Sequence, residues 1–281
     1  MTPTLVIIPT YNEVANIART VTQVRAAAPE ADVLVVDDGS PDGTGAAADE
    51  LAARDPHVQV LHRPDKRGLG AAYGAGFRWG LARGYEVLVQ MDADGSHRAD
   101  ELPKLLAALT PDTHLVLGSR WVPGGAVVDW PRHRTWLSRG GNAYTRLLLG
   151  IGVRDCTSGY RVYRRGTLEV IDLPAVRSQG YCFQVDMLRR TLAADGQVVE
   201  VPISFIERSQ GESKMSLPIV GEALWRVTRW GLARWGLARW GLARWGLARW
   251  GLARWKLGRR WTARTDLANA AVRRVHRVGR G

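Results

Sequence analysis

The stretch EVLVQMDADGSH, residues 86–97, decides the fold: a mostly apolar run, residues 87–91, interrupted only by Gln90, passes directly into the acidic turn Asp92-Ala93-Asp94-Gly95. A strand without polar alternation is buried on both faces, which is the habit of parallel sheets. Residues 4–9, 32–37, 58–62 and 114–118 have the same character, and segments with helical spacing near residues 12–28, 44–54, 69–83 and 99–109 separate them. This alternation predicts an α/β fold, a mostly parallel sheet flanked by helices. Residues 130–150 read as a loop and a helix, residues 198–205 as a further strand and residues 219–227 as a helix.

In open parallel sheets ligands bind beyond the carboxyl ends of the strands, and the polar turns of this sequence collect there. Asp92 and Asp94 stand two residues apart at a strand end, so both carboxylates can reach one divalent cation directly or through water. Mg²⁺ or Mn²⁺ held there would neutralise a diphosphate leaving group. An isolated acidic pair is more often a solvated turn, so its neighbours matter. Pro9-Thr10-Tyr11-Asn12-Glu13 follows the first strand, where helix N-terminal amides are available and an aromatic can stack on a base. Asn12 serves equally well as a plain helix cap. Val36-Asp37-Asp38-Gly39-Ser40-Pro41-Asp42-Gly43-Thr44 closes the second strand with acids that can accept hydrogen bonds from a nucleoside, and its two Asp-Gly pairs alone suffice to turn the chain. Three such turns at one edge of a sheet favour a shared nucleotide pocket.

Charge divides the chain in two. The 281 residues carry a net charge of +12, but residues 225–281 hold 15 Lys or Arg against the single acid Asp266. Residues 1–224 are long enough for one α/β core, and residues 225–281 form an Arg- and Trp-rich tail. Over residues 230–254 the tail repeats WGLAR five times, a low-complexity pattern of period five. Five residues advance a helix by about 500°, so successive tryptophans scatter round the cylinder. Each glycine also costs about 1 kcal/mol relative to alanine, and the tail is expected to be weakly ordered in water. Trp and Arg together suit the headgroup layer of an anionic membrane surface. The same residues can bind nucleic acid, and expansion of a short DNA repeat would give the same pattern without any function.

Cys156 and Cys182 are the only cysteines, and their spacing implies neither a disulfide framework nor a structural metal site; a reducing compartment fits. The N-terminal apolar run is short and lacks the basic prelude of a signal peptide. No stretch reaches the roughly 18 apolar residues that a spanning helix needs. These features predict a peripheral protein at the cytoplasmic face of the membrane.

The motifs PTYNE, VVDDGSPDGT, RGLGAAYGAGF, MDADGSH, GSR, TSGYRVYRR, GYCFQVDM and VPISFIERSQGESK follow one another in order. In this the chain resembles the polyprenyl-phosphate (dolichyl-type) mannose synthases of the family 2 glycosyltransferases, over about residues 4–220. The resemblance implies a GT-A fold in residues 1–224 and inverting transfer of mannose from GDP-mannose to a polyprenyl phosphate. It implies that Pro9, Tyr11, Glu13, Val36 and Asp38 line the guanosine side, and that Asp92, Ala93 and Asp94 meet the diphosphate and the metal. Where the family often has a glutamine as third metal contact, this chain has Ser96, a weaker neutral ligand. Arg120, Arg208 and Lys214 match positions that bind donor or acceptor phosphate, and Arg134 and Ser138 match positions assigned to the lipid phosphate. Relatives can also use an integral-membrane partner for recruitment. Two other readings stand beside this one: a related transferase using UDP-glucose, and a nucleic-acid-binding module working through the tail, against which the enzyme-like body argues.

Overall fold

The structure, a computed structural model, describes residues 2–239 apart from residues 177, 179 and 208–216. Its strands are β1 (Thr4–Thr10), β2 (Asp32–Asp37), β3 (Val58–His62), β4 (Val87–Gln90), β5 (Leu115–Ser119), β6 (Ala126–Val128), β7 (Arg161–Arg164), β8 (Val198–Pro202) and β9 (Ser204–Ile206). Seven of them form one sheet in the order β3-β2-β1-β4-β7-β5-β8, and β6 pairs with β9 in a small second sheet. The helices are α1 (Val14–Ala27), α2 (Thr44–Arg54), α3 (Leu69–Ala82), α4 (Leu102–Ala107), α5 (Arg132–Leu149), α6 (Arg165–Val170), α7 (Gly180–Ala193) and α8 (Leu217–Arg239).

Successive side chains of a strand face opposite sides, and β1 is apolar on both. Leu5 and Ile7 join Leu34, Val36 and Leu88 in one core layer, under Tyr73 and Phe77 of α3, Phe183 of α7 and Val227 of α8. Val6 and Ile8 join Val33, Val35 and Val89 in the other, under Ile17 and Val21 of α1, Ala48 of α2 and Leu102 of α4. Each buried Leu or Ile contributes about 1.5–3 kcal/mol. The close approach of α3 to β1 depends on Gly76, where an added Cβ would stand 2.5 Å from Ile7 Cγ2. Gly76→Ala is therefore expected to destabilise the fold by about 1–3 kcal/mol through overpacking, read as a lower midpoint in urea unfolding; an unchanged midpoint would contradict this packing.

The mostly parallel, helix-covered sheet agrees with the reading from sequence, with three differences. First, β7 inserts antiparallel between β4 and β5, which brings its amino end, and the loop before it, to the edge where the parallel strands end. Second, residues 198–205 are not one strand. After Pro202, Ile203 donates its N–H to Ser119 O in the large sheet and accepts from Ala126 N in the small one, so the chain changes sheets at that residue. Third, α8 runs past residue 225 through two WGLAR pentads. Gly231, unfavourable in an isolated helix, here lets α8 approach α5, since an added Cβ would be 3.0 Å from Leu148 Cβ. Trp235 Nε1 donates to Leu148 O at 3.2 Å, and the Trp230 ring lies under the Arg189 guanidinium. The remaining pentads fall outside the described residues. Among the described residues no helix is long and apolar enough to cross a membrane.

Candidate active site

The loops after β1 and β2 are bonded into one piece. Asn12 N–H donates to Ser40 Oγ at 3.1 Å, Glu13 N–H to Thr44 Oγ1 at 2.9 Å and Val14 N–H to Asp42 Oδ2 at 3.1 Å. Asp42 is held below the usual carboxylate range: burial raises it, but hydrogen bonds from Thr44 and Val14 outweigh that. The amides at the start of α1, expected to be available to a ligand, are thus already satisfied. Asn12 is not the cap either; it takes the left-handed conformation (φ 58°) and Glu13 occupies the N-cap position.

Pro9 is half-buried at the end of β1, and the Tyr11 ring carries Lys66 Nζ 3.9 Å from its centroid. Glu13 is buried and accepts from Asn16 Nδ2 at 2.9 Å. Asp38 is buried against the Arg63 guanidinium; burial raises its pKa, partly opposed by Arg63. Val36 departs from expectation: its side chain is wholly buried in the core and offers no surface to a nucleoside.

The acidic turn is built rigidly. Tyr73 Oη donates to Asp92 Oδ1 at 2.8 Å, and Thr20 Oγ1 donates to Ala93 O at 2.9 Å. Gly95 takes φ 76°, which lets the turn close, and Asp94 Oδ1 accepts from Ser96 N at 3.1 Å and from Ser96 Oγ at 2.6 Å. Ser96, read as a metal contact, is thereby a donor that fixes Asp94. His97 Nδ1 accepts from Asp92 N–H at 3.0 Å, so that nitrogen carries no proton, and burial depresses the pKa of the ring. His97 Nε2 and Gln184 Oε1 are buried with no hydrogen-bond partner. Beside Gly159, His97 Cε1, Asp92 Oδ2 and Gln184 Nε2 lie within 3.4–3.6 Å of where a Cβ would stand. Orphaned polar atoms beside two carboxylates suit an ion with further oxygen ligands. No group of three or more His, Cys, Asp or Glu ligands exists among the described residues, so a bound Mg²⁺ or Mn²⁺ would complete its shell with diphosphate oxygens and water, a common habit of Mg²⁺.

Beyond the acidic turn, the His97 ring meets Phe205 edge-on at 5.3 Å, and Phe205 also meets Trp130 and Arg120 at 5.4 and 5.3 Å. Of these, Trp130 and Arg120 line a cavity of about 420 Å³, with Arg134 and Ser138 beside them and Trp136, Leu137, Tyr144, Val185, Leu224 and Val227 elsewhere. Arg120 is held by a buried fork: Nε and Nη2 donate to the two oxygens of Asp155 at 2.7 Å each, and Nη2 also to Thr157 Oγ1 at 2.9 Å. Arg134 pairs with Glu207 and lies 4.0 Å over Trp130. The structure therefore brings the residues expected at the lipid phosphate into one amphiphilic cavity next to the acidic turn. Arg208 and Lys214 lie outside the described residues. Sequence reasoning missed Tyr73, His97, Asp155, Thr157 and Gln184 as parts of the site; all but Tyr73 and His97 arrive through β7 and α7, whose strand and helix went unread.

The family model for Glycosyl transferase family 2 matches residues 5–171. The chain is 60% identical over 226 residues to the undecaprenyl-phosphate mannosyltransferase of Micrococcus luteus, covering 80% of this chain and 92% of that one. It is 58% identical over 225 residues to the polyprenol monophosphomannose synthase of Mycolicibacterium smegmatis, covering 80% and 85%. Among solved structures, glucosyl-3-phosphoglycerate synthase from Mycobacterium tuberculosis, in complex with Mn²⁺, UDP-glucose and phosphoglyceric acid, superposes with TM-score 0.61 at 21% identity, covering 84% of this chain and 80% of that one. That likeness extends to the fold.

Proposed function

Because the chain belongs to glycosyl transferase family 2, we propose that it transfers mannose from GDP-mannose to a polyprenyl phosphate, giving polyprenyl-phosphate β-mannose and GDP. The observation that carries this reading is the cavity itself. Two guanidiniums at one end and aromatic and aliphatic walls beyond match a lipid phosphate, and the acidic turn adjoins that charged end. The relatives whose names specify mannose and a polyprenyl acceptor support the choice of sugar and lipid.

Pro9, Tyr11, Glu13 and Asp38 hold the guanosine, and the fixed loops give it a preorganised wall. Asp92 and Asp94 would hold Mg²⁺ or Mn²⁺, which would supply positive charge against that developing on the leaving GDP. Arg120, aimed by Asp155, and Arg134 hold the acceptor phosphate with Ser138; without such forks two anions would repel one another. A phosphomonoester has a second pKa of about 6, so its oxygen is already an anion near neutrality and attacks the anomeric carbon with no general base. The carbon–oxygen bond to GDP breaks as the new one forms on the opposite face, inverting α to β. Arg208 and Lys214 serve as further cations for the donor or acceptor phosphates. Residues 1–224 hold the chemistry, and residues 225–281 attach the protein peripherally to the cytoplasmic face of the membrane, with an integral-membrane protein as a further means of recruitment.

Purified protein incubated with Mg²⁺, polyprenyl phosphate and radiolabelled GDP-mannose is expected to carry label into the organic phase. Label from UDP-glucose alone would overturn the mannose assignment.

A further inference from the structure

On the flank of α5 away from the acceptor cavity lies a second hollow, of about 330 Å³, lined by Trp121, Arg139, Asn142, Ala143, Arg146 and Arg154. Its three arginines are exposed, and among the described residues none of their guanidiniums pairs with a carboxylate, whereas those of Arg25, Arg63, Arg120 and Arg134 each do; Glu200 accepts from the Arg154 backbone N–H at 2.7 Å. Asn142 is buried and fixes the floor through bonds to Ser138 O at 3.0 Å and Thr157 Oγ1 at 3.2 Å. The Arg139 guanidinium lies 4.8 Å from the Trp121 ring centre. Three guanidiniums gathered round one hollow repel one another, and an anion among them would relieve that.

The neighbouring surface says which anion. Arg139 and Arg146 are seven residues apart and share one stripe of α5; Trp136 and Leu147 share another, roughly 80° round the helix. Trp136 and Leu147 are each 74% exposed, and Trp136 also lines the acceptor cavity. An apolar ridge thus separates the basic hollow from the cavity. On α8, packed beside α5, Trp225, Leu232 and Trp235 are also more than half exposed. Single exposed apolar side chains need no explanation, but large ones concentrated on two adjoining helices and edged with arginine have the make-up of a helix lying in a bilayer interface.

We propose that α5 docks the protein on an anionic phospholipid bilayer, with Trp136 and Leu147 entering the headgroup layer and a lipid phosphate held by Arg139, Arg146 and Arg154. This rests on the reading of the acceptor as a membrane lipid, and it places attachment in the folded body as well as in the tail. It also sets the acceptor cavity against the membrane surface from which its lipid comes. Each basic residue near an anionic surface multiplies partitioning roughly fivefold.

The test uses the full chain and R139E/R146E/R154E, with L147E as a second variant that leaves the arginines in place. Sedimentation with phosphatidylcholine vesicles, with and without phosphatidylglycerol, is expected to show at least tenfold weaker binding of both variants to the anionic vesicles. For polyprenyl phosphate embedded in those vesicles, KM rises at least tenfold in the triple variant, while kcat, and KM in detergent micelles, stay at wild-type values. Wild-type binding by both variants would overturn the proposal. So would an equal loss in micelles, displacement of wild-type protein from vesicles by an equal concentration of inorganic phosphate, or a preference for single-stranded RNA that the triple variant loses. If no sugar transfer were found at all, sedimentation would still report docking, so the two readings fail separately.

Discussion

Asp92→Asn is expected to lower mannosyl transfer roughly 10³-fold with little change in stability, on the scale of removing a dedicated stabiliser of transition-state charge. The substitution is isosteric, and the asparagine oxygen can still accept the Tyr73 hydroxyl that now donates to Asp92 Oδ1 at 2.8 Å. What disappears is the charge facing the leaving diphosphate. Asp94→Asn is expected to behave alike, since Ser96 can still hold the amide oxygen in its turn. Single-turnover kinetics with labelled donor, alongside a thermal melt, separates loss of chemistry from loss of fold. Transfer within tenfold of wild type in either variant would remove the two acids from the mechanism.

Asp155→Ala is expected to be the most damaging substitution for stability. Arg120 is 5% exposed and Asp155 wholly buried, and removing one member of a buried pair leaves the other charge uncompensated, at a cost of about 3–5 kcal/mol. Urea unfolding measures it; a change under 1 kcal/mol, on the order of a surface pair, would show that water reaches Arg120. A pH signature follows from the same pair. Burial alone would raise the Asp155 pKa, but the charge and hydrogen bonds of Arg120 hold it below the usual carboxylate value. Its folded pKa being depressed, its contribution is fully present above the unfolded value of about 3.9 and is lost as pH falls through the folded one. The variant should therefore lose stability less steeply on acidification than the wild type. Transfer should also fall, because the guanidinium is no longer aimed into the cavity.

The parallel strands and the acidic turn were legible because both are local. A largely apolar run such as residues 87–91 can satisfy itself only between two helical layers, and a carboxylate pair at its end needs no distant information. β7 was not legible. It opens with Arg161, which is fully buried and donates to Ser158 O, Cys156 O and Gln184 O, so a core strand carries a charge that its sequence pattern reads as surface. The partners of Arg120 were hidden for the same reason, since Asp155 lies 35 residues away on a loop whose placement depends on that strand. The order of α8 through residue 239 depends on α5, and no period within WGLAR reports a neighbour. Resemblance named Arg120, Arg134 and Ser138 together, but only the folded chain gives them a common wall.

The three bonds from Asn12, Glu13 and Val14 to Ser40, Thr44 and Asp42 carry a lesson for redesign. A graft that exchanged only one of these segments would arrive without its matching partner and unlatch both. On the proposed function, altering the choice of base would require transplanting residues 9–14 and 37–44 as a set, and drift at one of these places during evolution would have to be answered at the other.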